Sequence, residues 1–187
     1  MPVTAPLTGL PDVILPLGEL VPPTRRHYFT GRADLRHFKD RSYTFGRSAQ
    51  YMPLVRAFLN TCAADRDGDY RYLFTLLGSE LANNAITHTR SGEPYGVYTL
   101  KCEKRAGGLR LTCHDQGSKT TDQSAQNRFE YLTTDASRLN CSAEAGRGLA
   151  MIDSLATSWG DNGFTGTRQV WFFLASDLAG SQWNADL

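Results

Sequence analysis

The stretch LGSELANNAITHT, residues 77–89, decides how the rest of the chain is read. Its apolar residues continue a helical spacing that begins at Tyr70, Leu73 and Phe74, so one helix is expected from about Tyr70 to Thr89. At about 100° per residue with Leu77 at zero, Leu73 and Leu81 fall about 40° to either side, Asn84 at about −20° and Glu80 at about −60°. An amide therefore lies inside the apolar stripe and a carboxylate at its edge, with His88 one turn past the amide. Buried without partners, the amide would cost about 1–3 kcal/mol and the charge more. These side chains must join a buried polar network, bind a metal or face a cavity.

Two further segments pose the same problem. In GLRLTCHDQG, residues 108–117, strand alternation puts Leu109, Leu111, Cys113 and Asp115 on one face, so a carboxylate extends the core side at the strand's end. Gly117 follows, permitting a positive φ or close approach by another molecule; an aspartate capping a turn is the alternative. GRGL, residues 146–149, opens a helix expected to run to about Ala156. The N–H groups at such an end favour an anion, and glycine lets phosphate come close to the backbone; an ordinary loop-to-helix junction is the alternative.

Around these segments the chain divides into an extension (1–41), a domain (42–176) and a polar tail (177–187). Residues 1–22 hold five of the eight prolines and read as a flexible arm. TRRHYFTGRADLRHFKDR, 24–41, reads as a solvated extension, with an added helix or a contact surface around Tyr28 and Phe29 as alternatives. SYTFGR suggests a strand ending at Gly46, followed by a helix from Ser48 to Ala64 carrying Leu54, Val55, Phe58 and Leu59 on one side. PYGVYTLKCEKR and GLRLTCHD should pair through Ala106-Gly107-Gly108, and TSWGDNGF with TRQVWFFLA should form a second hairpin around Gly163 to Gly166. From Gly117 to Ala145 the chain is polar and without a sustained period, too long for an idle loop in a compact domain. The expected architecture is an α/β two-layer sandwich, helices over one face of a mixed, largely antiparallel sheet. WFFLA, apolar on both faces, calls for cover on the opposite side by the N-terminal segment or a second subunit.

Composition narrows the function. Hydrophobic residues make up 41% and charged residues 21%, and no apolar run reaches the roughly 18 residues of a membrane span. Lys+Arg 20 against Asp+Glu 19 leaves a net charge of +1, which argues against holding a nucleic-acid backbone. The start lacks the features of a secretory signal, so a cytoplasmic setting is expected. Cys62, Cys102, Cys113 and Cys141 are scattered without a C-x-x-C pair and read as reduced and structural.

E-L-x-x-N-A at 80–85, D-x-G at 115–117, G-R-G-L at 146–149 and a final strand led by Gly166-Thr167 together resemble the histidine-kinase-like ATPase superfamily. Within it the likeness is to bacterial anti-sigma-factor serine kinases of the RsbW and SpoIIAB type and their actinobacterial relatives. The resemblance implies the Bergerat ATP-binding fold, with Asn84 as the Mg2+-binding asparagine and Glu80 as the residue that activates the attacking group. Asp115 would accept from the adenine amino group, Gly117 would give the base room, and Thr167 would lie near the adenine. Gly146, Arg147, Gly148 and Leu149 would form the phosphate-facing glycine box. ATP or ADP with Mg2+ is the implied ligand, and a sigma factor and a small antagonist protein are the implied partners, in proteins that are commonly dimers. Lys119 departs from the D-x-G-x-G pattern, replacing the second glycine where the lid over the nucleotide begins. Two functions follow as expectations: a serine/threonine protein kinase acting by partner switching, and a nucleotide-gated binding module without turnover.

Overall fold

A computed structural model describes residues 20–33, 38–119, 128–134 and 147–184. The strands are β1 (Asp40–Gly46), β2 (Val97–Arg105), β3 (Gly108–His114), β4 (Ser158–Asp161) and β5 (Gln169–Ala175). The α-helices are α1 (Met52–Cys62), α2 (Gly68–His88) and α3 (Arg147–Leu155). The sheet order is β1-β2-β3-β5-β4, and every pairing is antiparallel where a mixed sheet had been allowed for. The α/β two-layer arrangement is as expected.

Local chemistry explains the element ends. Asp67 caps α2, its Oδ1 accepting from the Tyr70 N–H at 2.8 Å, which satisfies one of the donors a helix start leaves open. The helix expected from Ser48 begins instead as a 3-10 turn, Ala49–Tyr51, and becomes α1 at Met52. Pro53 sits in the first turn of α1, where its missing N–H costs nothing. Between β2 and β3 the turn is closed by Gly107 at φ +80, a conformation that suits glycine.

The core lies between the helices and one sheet face. Tyr98, Leu100 and Cys102 of β2, Leu109, Leu111 and Cys113 of β3, and Val170, Phe172 and Leu174 of β5 point into it. From α2 it receives Tyr70, Leu73, Phe74, Leu77, Leu81 and Ala85, the whole expected stripe. Gly78 sets the spacing of the layers: a Cβ there would meet Leu59 at 2.7 Å and Leu111 at 2.9 Å, so α1, α2 and β3 meet only because this side chain is absent. Cys62, Cys102 and Cys113 are buried and unbonded; Cys141 lies outside the described residues.

The segment read as a solvated extension is packed against the domain instead. Pro23–Phe29 forms a 3-10 helix, with Phe29 buried and its ring edge-on to Tyr43 at 4.9 Å, while Tyr28 meets Phe58 at 6.2 Å. Gly31 N–H donates to Thr61 Oγ1 at 2.8 Å. Burial of the aromatic rings against α1 and β1 outweighs the exposed charge between them. Tyr43 belongs to the core-facing row of β1, so these residues cover the helix side and not the opposite sheet face. That face carries the Thr44–Thr99 hydroxyl pair at 2.8 Å and the Arg110 guanidinium 4.1 Å above the Trp171 ring. The arm at residues 1–19 lies outside the described residues.

Candidate functional site

One cavity of about 460 Å³ opens between α2, the sheet ends and α3. Asn84, Ala85, His88 and Thr89 line it from α2, Cys113 and Asp115 from the end of β3, Leu149 from α3, and Arg168 and Val170 from β5. Leu132, Thr133 and Thr134 close another side. Asn84 and His88 thus look into a hollow and not into a sealed network, while Glu80, at the edge of the stripe, does not line it.

Glu80 and Asn84, one turn apart, are brought against α3 by Gly148. A Cβ at Gly148 would lie 2.6 Å from Glu80 Oε2 and 3.4 Å from both polar atoms of the Asn84 amide. Leu149 follows in the cavity wall, Arg147 opens the helix, and Gly146 lies outside the described residues. Burial raises the Glu80 carboxyl above the ordinary carboxylate range, opposed by the charges of Arg147 and Arg56. Glu80 also borders an outer groove between α1 and α2 that includes Arg56, Asn60 and Tyr72.

Asp115 is 8% exposed, and its carboxyl is pushed up to about 6 chiefly by burial, against the hydrogen bond from Gly117 and the charge of Arg168. Gly117 N–H donates to Asp115 Oδ1 at 2.7 Å. Gly117 itself has φ +73, and a Cβ there would stand 2.2 Å from the Thr165 carbonyl. The positive φ is one of the two conditions the sequence reading offers for this glycine, and the backbone that comes close is the chain's own. The 115–117 turn is held from the end of α2: Arg90 Nε donates to the Gln116 carbonyl and Nη2 to the Gly166 carbonyl, both at 2.8 Å. Fully buried Ser91 accepts from the Gln116 N–H at 3.0 Å.

Thr167 is not brought to the cavity: it is exposed, and its neighbour Arg168 lines the wall instead. Val170, Phe172 and Leu174 face inward on β5, and that parity assigns the inward place before Val170 to residue 168. The guanidinium pairs with Asp161 of β4 at 3.4 Å. Asp161 also accepts from the Leu132 N–H at 2.7 Å, fastening part of the polar loop to the site. Further ties are Glu130 N–H to the Gly163 carbonyl at 2.7 Å and Thr134 Oγ1 to Asp153 Oδ2 at 3.0 Å. These contacts join segments far apart in sequence, and the loop's composition carried no signal for them beyond its length. Lys119 Nζ donates to the Thr87 carbonyl at 2.7 Å, tying the chain just after the 115–117 turn to the last turn of α2. His88 stands exposed in the cavity wall.

A family model described as histidine kinase-like ATPase domain matches residues 47–163, more than half of the chain, and the chain belongs to that family. No curated protein matched the sequence. Family membership makes this an ATP-binding domain. The residues present fit a nucleotide: the cavity has the volume of a small-molecule site, Asp115 offers it a buried acceptor, and Asn84 offers it an amide. No helix is long and apolar enough to cross a membrane among the described residues.

Proposed function

We propose that this histidine kinase-like ATPase domain works as a serine/threonine protein kinase of the anti-sigma-factor type, phosphorylating a serine of a small antagonist protein and releasing or capturing a sigma factor by partner switching. The observation that carries the proposal is that Gly148 brings the start of α3 against Glu80 and Asn84, while Asn84, Leu149 and Asp115 line one cavity. Asp115 is assigned to the amino group of the base, and Arg147, Gly148 and Leu149, with Gly146, to the phosphates. Asn84 is the residue that would hold Mg2+. Bound Mg2+ supplies charge neutralisation on the phosphates during transfer. Glu80, half-buried and with a raised proton affinity, is assigned to take the proton from the attacking serine hydroxyl. Leu132 to Thr134, fastened through Asp161 and Asp153, keep water from one side of the cavity. A cytoplasmic setting and a homodimer belong to the same proposal.

The test is incubation with γ-labelled ATP and serine-bearing antagonist proteins. Label on a partner serine with the unmodified chain, lost with Glu80→Gln, supports the assignment. Full labelling by the Glu80→Gln chain removes Glu80 from the mechanism. A second reading, a nucleotide-gated module that sequesters a partner without turnover, is favoured by the Lys119 tie to Thr87, because transfer demands lid movement that binding does not. Nucleotide-dependent partner capture with no label on any partner selects it.

A further inference from the structure

We infer that Arg168 is a second base-reading residue, donating a hydrogen bond to a ring nitrogen that flanks the amino group held by Asp115. The inference rests on the nucleotide-binding proposal above and adds to it a residue that none of the four motifs contains.

Asp115 and Arg168 are cross-strand neighbours. The β3–β5 register pairs His114 with Gln169, and the Asp115 N–H donates to the Arg168 carbonyl at 2.9 Å, continuing the ladder by one residue. Directly opposed side chains on one face stand about 5 Å apart at Cβ, so both reach the same part of the cavity. Both line it, beside Cys113 and Val170, which are opposed in the same register. One carries acceptors and the other only donors. The amino group of adenine is a donor, and the ring nitrogens on either side of it, N1 and N7, are acceptors. A carboxylate beside a guanidinium therefore matches two adjacent atoms of that base in order, donor to Asp115 and acceptor to Arg168.

The guanidinium is also held in place for the task. Its Nη1 pairs with Asp161 Oδ2 at 3.4 Å, and the Asp161 side chain is almost fully buried. A guanidinium has five N–H donors in a rigid fork, so a single anchor on one nitrogen leaves donors for a ligand. A threonine hydroxyl at Thr167, on the outward side of the strand, offers nothing to the cavity.

The experiment is calorimetric titration of the full chain with ADP, 1-deaza-ADP and 7-deaza-ADP, each lacking one ring acceptor. The unmodified chain is expected to bind one of the two analogues at least ten-fold more weakly than ADP. Arg168→Met is expected to bind ADP at least ten-fold more weakly and to bring that analogue within two-fold of ADP. Should Arg168→Met not fold, Arg168→Met combined with Asp161→Asn removes both partners of the ion pair and carries the same comparison. An unmodified chain that binds both analogues as tightly as ADP overturns the inference, as does a deaza penalty that survives in the variant. If the unmodified chain binds ADP with a dependence on Asp115 yet shows either result, only the role of Arg168 fails; if it binds no ADP at all, the nucleotide proposal fails with it.

Discussion

Replacing Asp115 with asparagine separates the two consequences of burying a carboxylate at the end of β3. In the unmodified chain the carboxyl is pushed up to about 6 from 3.8, mainly because burial disfavours its charged form. The folded chain then binds this proton more tightly than the unfolded chain, so stability rises as pH falls through 6 and levels off below 3.8. Above pH 6 the buried charge costs on the order of 3 kcal/mol relative to an unshifted group. Asparagine keeps the shape and an oxygen for the Gly117 N–H, which donates at 2.7 Å, but carries no charge. Asp115→Asn should therefore melt higher than the unmodified chain at pH 7.5, by roughly 5–10 °C for a domain of this size, with the difference shrinking towards pH 4. Binding should move the other way. The amide presents N–H groups to the amino group of the base, and losing a charge-assisted bond of about 1.5–3 kcal/mol weakens ADP by about 10- to 100-fold. Protonation removes the same acceptor, so ADP affinity of the unmodified chain should fall up to about ten-fold between pH 6 and pH 5, while that of the variant stays flat. Scanning calorimetry and titration with Mg-ADP measure the two effects. A variant that binds ADP within two-fold of the unmodified chain at pH 7.5, or unmodified affinity that is level from pH 7.5 to 5, refutes the reasoning.

Glu80→Gln should keep ADP affinity within a few-fold and lower the rate of phosphoryl transfer by about 100- to 10,000-fold, the range of a lost general base, in a single-turnover assay. Gly148→Ala places a methyl 2.6 Å from Glu80 Oε2, so nucleotide binding and transfer should both drop by more than ten-fold while the circular dichroism spectrum is retained. Gly78→Ala forces a Cβ to 2.7 Å from Leu59 and should cost about 1–3 kcal/mol in denaturant unfolding, with ADP affinity per folded molecule unchanged. Gly117→Ala combines φ +73 with a contact of 2.2 Å to the Thr165 carbonyl and should lower both stability and ADP affinity, since the same turn holds Asp115.

Wherever a feature depended on residues within one element, it was legible before any coordinates. Glu80 and Asn84 share a side because they are one turn apart, and Asp115 faces inward because strand side chains alternate from Leu109. The hairpin through Gly107 and the inward stripe from Tyr70 to Ala85 were read from turn residues and from the same local periodicity, whereas the Asp67 cap that starts α2 was not. Tertiary structure decided what these faces meet. Gly148 against Glu80, Gly78 between Leu59 and Leu111, and Gly117 against Thr165 are contacts between distant segments, and an absent side chain has no periodicity to reveal it. It also packed Pro23–Phe29 onto α1, where burial of Phe29 and Tyr28 overrode the basic character of the stretch. On β5, placing Thr167 or Arg168 inward is a difference of one residue, and the family resemblance favoured the former. The ladder with β3 determined it, because pairing fixes strand parity and a shift of one residue exchanges the two faces.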